Sequence, residues 1–272
     1  MENKDSFLPP EIITKENLPT TLAEIASERE KKGSSETLIP RIRKIREQAE
    51  RLGDISSVVQ LYQEEFLSAS HMVIEEKSKR YRANPIRIVN GLKLMRETSK
   101  TMEKHLTDEN LDPVIKARIY RFLGRYSEQK RQYTKSESYY RQGLAYFDSS
   151  TKPEERFNRL EFLGFISYSL LKQGKFDEGI KLAQQTLVDF DESEEGKWLK
   201  ENSYQTWAVW KSGIEIRTAE LFLKTKRSQY ANMAKNLLSD SEAILQMPDG
   251  NAEIFRLRLD ELDNAKGQLK NI

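Results

Sequence analysis

The chain has no cysteine, which excludes disulfides, thiolate nucleophiles and zinc sites built on sulfur ligands. Its two histidines, His71 and His105, fall on different predicted helices. Neither has a carboxylate or a second histidine at ligand spacing, so no metal site is expected. The sequence contains no Walker-type phosphate loop, no dinucleotide-binding glycine fingerprint and no nucleophile elbow. No cofactor and no enzymatic activity are therefore expected. No apolar run approaches the roughly 20 residues that a membrane helix needs. The opening MENKDSFLPPEI lacks the basic-then-apolar order of a secretory signal, and a soluble cytoplasmic protein is the expectation. Eight prolines and twelve glycines are few for 272 residues, and runs of Val, Ile and Thr are nearly absent.

What fills the chain instead is Glu, Lys, Arg, Leu, Ala and Gln, all good helix formers. The class read from composition is all-α. Charged residues reach 32% while the net charge is only +2, a balance that fits a solvated helical surface better than a dedicated nucleic-acid binder. The total hides an uneven distribution, because residues 37–146 carry 22 basic against 14 acidic side chains. The acidic run Asp189, Asp191, Glu192, Glu194 and Glu195 lacks the spacing and central glycine of a calcium loop, and a solvated loop is expected there.

Helical periodicity divides the chain. Residues 1–36, punctuated by Pro9, Pro10 and Pro19, read as a flexible tail with one short helix on Leu22, Ile25 and Ala26. From Thr37 the 3.6-residue period holds to the end. Ile39, Ile42, Ile45 and Ala49 form one apolar stripe, and Ile55, Val58, Val59, Tyr62 and Phe66 form the next. Asn84-Pro85, Asp112-Pro113 and Lys152-Pro153 each mark a helix start. Helices are expected over about 113–130, 133–147, 153–172 and 176–190. A long one over 197–225 carries Trp198, Trp207 and Trp210, and two more follow to 270.

Helix pairs repeat a pattern. In RLEFLGFISYSLLKQGKFDEGIKLAQQTL, Leu163-Gly164 sits in the first helix, Gly174 marks the turn and Phe176 opens the second helix. Gly179 is its small residue, and Ala183 and Leu187 continue the face. The stretch ARIYRFLGRYSEQKRQYTKSESYYRQGL aligns without gaps through Leu123-Gly124, Tyr133, Ser136, Tyr140 and Leu144, with Arg131 where the turn glycine would stand. Near the start, Gly53, Ile55, Val58, Tyr62 and Phe66 align as well, without the Leu-Gly pair.

These windows resemble the tetratricopeptide repeat, a helix–turn–helix unit of about 34 residues. The last step between windows is 43 residues, from 117 to 160, and residues 214–241 keep only Tyr230, Met233 and Leu237 in register. The resemblance implies antiparallel helix pairs stacked as a right-handed α-solenoid over 37–272, ending in a capping helix.

It also implies a groove lined by the first helix of each pair, where proteins of this kind bind peptides. The matching positions carry Arg118, Arg121 and Arg125 on one helix, Tyr168 and Lys172 on the next, and Arg43 and Arg51 on the 39–52 helix. A protein or peptide partner that is acidic or presents a free carboxylate suits such a lining. The alternative for these arginines is a solvated face with partners at i,i+4. Two other functions stay open. One is RNA binding, suggested by KSKRYRANPIR at 77–87 and by the arginine–tyrosine interleaving of 118–133. The other is a peptide-sensing regulator. Self-association through Trp198, Trp207 and Trp210 is a further expectation, conditional on their exposure.

Overall fold

Two caps show how the sequence writes its own helix boundaries. The Asp54 carboxylate accepts the Ser57 backbone N–H at 3.0 Å, and Asn84 accepts the N–H of Ile86 at 3.0 Å just ahead of Pro85. Both satisfy orphan donors of a first helical turn. The computed structural model describes residues 12–31, 33–79, 82–148, 151–225, 228–246 and 252–269. Among these residues the regular structure is entirely helical, with no strand. The chain forms two compact units, Met1–Asp112 and Pro113–Ile272.

The first unit contains α1 (Leu18–Arg29), α2 (Ser35–Arg51), α3 (Ile55–Ser78), α4 (Pro85–Lys104) and a 3-10 turn at His105–Thr107. Helix α3 packs against the other three. The described part of the expected N-terminal tail belongs to this core. Ile13, Leu18 and Ile25 are buried with Leu38, Ile42, Ile45, Val58 and Leu61, because their apolar side chains close a stripe that α2 and α3 would otherwise expose. Residues 1–11 lie outside the described residues. Buried carboxylates hold the helices in register. Glu65 pairs with Arg43 and Arg46. Glu76 pairs with Lys79 and Arg87 and accepts the Asn84 backbone N–H at 2.9 Å, which ties the turn between α3 and α4.

The second unit contains α5 (Pro113–Gln129), α6 (Tyr133–Asp148), α7 (Pro153–Arg156), α8 (Asn158–Lys172) and α9 (Phe176–Glu192). It continues with α10 (Glu194–Asn202), α11 (Tyr204–Thr225), α12 (Ser228–Leu245) and α13 (Ala252–Leu269). The main hairpins are α5–α6, α8–α9 and α11–α12; α6 also packs on α8, α8 on α11, and α13 on both α11 and α12. Each helix therefore meets its near neighbours in sequence.

The hairpin turns need the left-handed backbone region. Gly174 takes φ +82°, Gly53 takes +69°, and Arg131 takes +57° at the equivalent turn where glycine is missing. The small positions work as contact points. A Cβ on Gly124 would lie 2.3 Å from the Tyr140 ring, so the Leu-Gly pair is what admits that aromatic. Ser136 donates to the Gly124 carbonyl at 2.9 Å across the same helix pair.

Two expected elements differ. The 197–225 helix breaks at Ser203 into α10 and α11, so Trp198 and Trp207 lie on separate helices. The acidic stretch after Phe190 is not a loop. Helix α9 runs to Glu192, and Ser193 caps α10 by accepting the Gly196 N–H at 3.0 Å. Acidic side chains at a helix N-terminus are favoured by its dipole, which is why Glu194 and Glu195 are helical.

Candidate partner-binding face

The face considered is built by α5, α8, α11 and α13 within the second unit. Aromatic rings from α8 form its floor. The Arg121 guanidinium lies 5.6 Å from the Phe165 ring centroid, Arg125 5.2 Å and Arg217 5.2 Å. Three cations from two helices thus converge on one ring. Tyr168, one turn further along α8, faces Arg217 at 5.9 Å and Lys172 at 5.2 Å. Lys172 also approaches the Tyr133 ring at 5.9 Å. Guanidinium groups stack on aromatic faces through the ring quadrupole, so the lining holds its cations in fixed positions.

Carboxylates neutralise part of this charge. Glu161 of α8 receives two hydrogen bonds from Arg121, one from Nε at 2.6 Å, in a bidentate pair. Glu128 accepts from Arg125 at 3.2 Å and from the Tyr140 hydroxyl at 2.9 Å. On α13, Arg258 donates from Nε to the Val209 carbonyl at 2.9 Å and pairs with Glu261.

Titration follows the geometry. Burial alone would pull Arg125 down, but Glu128, and behind it Tyr140, Glu161 and Glu261, hold it above the ordinary arginine value. Arg217 goes the other way: burial, then the charges of Arg258 and Arg125, push it below that value. Lys172 is lowered by burial and by Lys224. Burial raises the Tyr168 phenol, with Glu128 adding to it. Burial would raise Glu261, yet Arg258 and Arg217 bring it below the usual carboxylate range.

The expected residues divide between the two units. Arg121, Arg125, Tyr168 and Lys172 come together on this face. Arg118 is half-buried on the same helix and engaged with neighbours. Arg43 and Arg51 belong to the first unit, where Arg43 donates from Nε to Glu65 at 2.6 Å and Arg51 is exposed at the end of α2. Arg217, Arg258 and Phe165 were missed by sequence reasoning. The Gly213–Arg217 spacing is visible in the sequence, but the 214–241 window keeps too few family positions to say which side of α11 faces the lining.

The other candidate positions have structural roles. Trp207 is 3% exposed and donates its indole N–H to the Phe190 carbonyl at 2.9 Å. Trp198 and Trp210 are half-buried and stack on Phe157 at 5.2 and 5.9 Å. His71 Nδ1 lies 3.3 Å from the Arg29 carbonyl, and burial lowers its pKa. Among the described residues no group of three or more His, Cys, Asp or Glu side chains is placed to hold a metal ion, and no helix is long and apolar enough to cross a membrane. Comparison with protein-family models and with curated proteins gives no match for this chain.

Proposed function

We propose that this protein is a non-enzymatic interaction scaffold that binds a peptide segment of a partner protein on the face made by α5, α8, α11 and α13. In this reading the helix pairs stack as a right-handed, tetratricopeptide-like solenoid and the face is its inner, concave side. The supporting observation is the arrangement of Arg121, Arg125 and Arg217 around Phe165. Rings and guanidinium groups held by fixed partners form a pre-ordered surface, and pre-ordering lowers the entropic cost of binding an extended segment. Hairpin turns at Arg131 and Gly174, and the packing of each helix on near neighbours in sequence, support the stacked arrangement.

The test is affinity purification with and without nuclease, followed by arrays of short peptides tiled over the captured proteins. The expected result is capture that survives nuclease and maps to short segments binding the purified protein directly. Loss of every captured protein after nuclease, together with RNA binding that falls steeply with salt, would overturn the scaffold reading in favour of an RNA-binding one.

A further inference from the structure

The cations of this face are not equivalent. Arg121 is paired with Glu161, Arg125 with Glu128 and Arg258 with Glu261. Arg217 stands between these paired arginines without a carboxylate of its own. Its Nε donates to the Gly213 carbonyl of its own helix at 2.7 Å, and it forms no ion pair among the described residues. Two rings lie against it, Phe165 and Tyr168, and the charges acting on it are those of Arg258 and Arg125, opposed by those of Glu261 and Glu128. Lys172 repeats the situation on the other contact of Tyr168. It meets the Tyr133 and Tyr168 rings, feels the charge of Lys224 against those of Glu220 and Glu128, and makes no ion pair among the described residues.

A half-buried cation without a partner is costly to the fold on its own. A guanidinium with free N–H groups, held beside aromatic rings, is preset for bidentate contact with a carboxylate. We propose that Arg217 and Lys172, which flank Tyr168, form an anion site for two acidic side chains of a peptide partner. The proposal rests on the scaffold reading and specifies the partner's chemistry.

A polyanionic phosphate chain fits less well. Glu128, Glu220 and Glu261 stand close to the same cations and would repel a continuous line of phosphates. Two isolated positive points among carboxylates match two spaced carboxylates of a peptide instead. Complementarity of this kind selects partners by penalising like charge as well as by attraction.

The experiment uses the full chain and capped fluorescent peptides with two glutamates separated by one, two, three or five residues. Each peptide is titrated by anisotropy beside its counterpart with both glutamates replaced by glutamine, and inorganic phosphate and single-stranded RNA are run as competitors. At least one spacing is expected to bind, with the glutamine counterpart at least tenfold weaker. Arg217→Gln and Lys172→Gln should each weaken that peptide at least tenfold, whereas Lys93→Gln, at an exposed position of the first unit, should leave it unchanged. The thermal midpoint of Arg217→Gln should stay level or rise, because the change removes a buried cation that makes no ion pair and relieves the repulsion of Arg258 and Arg125, which outweighs the lost attraction of Glu261 and Glu128. Equal binding by glutamate and glutamine peptides overturns the proposal. So does full binding by a folded Arg217→Gln variant, stronger competition by phosphate or RNA than by any peptide, or no binding at any spacing. Non-acidic segments found on the tiled arrays would leave the scaffold reading standing while this site fails.

Discussion

Glu215 offers the sharpest test of the physical reasoning, because one substitution should act with opposite visibility at two pH values. The residue lies on α11, 2% exposed, and burial pushes its carboxyl up to about 7 from the usual 4.5. Ser241 hydrogen bonding and Lys211 pull it down, while Asp240 and Asp191 push it up further. The Ser241 hydroxyl lies 2.8 Å from Glu215 Oε2 and 2.9 Å from the Leu237 carbonyl. A hydroxyl has one proton and cannot serve both acceptors. If Glu215 is protonated, it donates to Ser241 and Ser241 donates to Leu237, and every group is satisfied.

A carboxyl with a raised folded pKa binds protons more tightly in the folded than in the unfolded state. Its contribution to stability is therefore complete below the unfolded pKa and is lost as pH rises through the folded value. At ~1.4 kcal/mol per unit, the loss comes to about 3 kcal/mol, of which roughly 1 kcal/mol is already incurred at pH 5. Glutamine reproduces the neutral acid, with its amide donating to Ser241. Glu215→Gln should therefore gain about 2 kcal/mol more, relative to the parent chain, at pH 8 than at pH 5. Urea unfolding of both chains at the two pH values measures this directly. An equal effect at pH 5 and pH 8 would refute the buried, protonated assignment.

Arg131→Gly should stabilise the chain by about 1 kcal/mol, since an L side chain at φ +57° is strained and glycine is not; urea midpoints measure it, and a loss of stability would contradict the assignment of the turn. Gly124→Ala should cost about 1–3 kcal/mol through the clash with the Tyr140 ring, and an unchanged thermal midpoint would contradict the close approach. Glu161→Gln should destabilise by about 2 kcal/mol, because it leaves the half-buried Arg121 without its bidentate partner; equilibrium unfolding at low and high salt tests it, with most of the loss persisting at high salt.

Much of the helical layout was legible because it is written locally. Proline after a capping residue set the starts at Pro85 and Pro113. Spacing of apolar residues placed Ile42, Ile45 and Ala49 in the core, and the turn glycines announced themselves at Gly53 and Gly174. The N-terminal segment was harder to read. Its short apolar set at Ile13, Leu18 and Ile25 is sparse by itself and gains meaning only against the stripe of α2. The break at Ser203 was hidden because tryptophans and helix formers run through it.

The arginines mark the limit of sequence reading most clearly. Arg121 and Arg217 are the same residue type on helices rich in charge, and periodicity treats them alike. What separates them is tertiary: Glu161, 40 positions away, reaches Arg121, whereas Arg217 is left beside Arg125 and Arg258. Pairing and burial decide the energetic sign of each. Removing Arg121 strands the buried Glu161 carboxylate and must destabilise, while removing Arg217 trades the attraction of Glu261 and Glu128 for relief from burial and from the repulsion of Arg258 and Arg125, and should not. A chain under pressure for stability alone would fill position 217 with an apolar or neutral side chain. Comparing the thermal midpoints of Arg121→Gln and Arg217→Gln therefore separates a cation that holds this face together from one that the fold can lose.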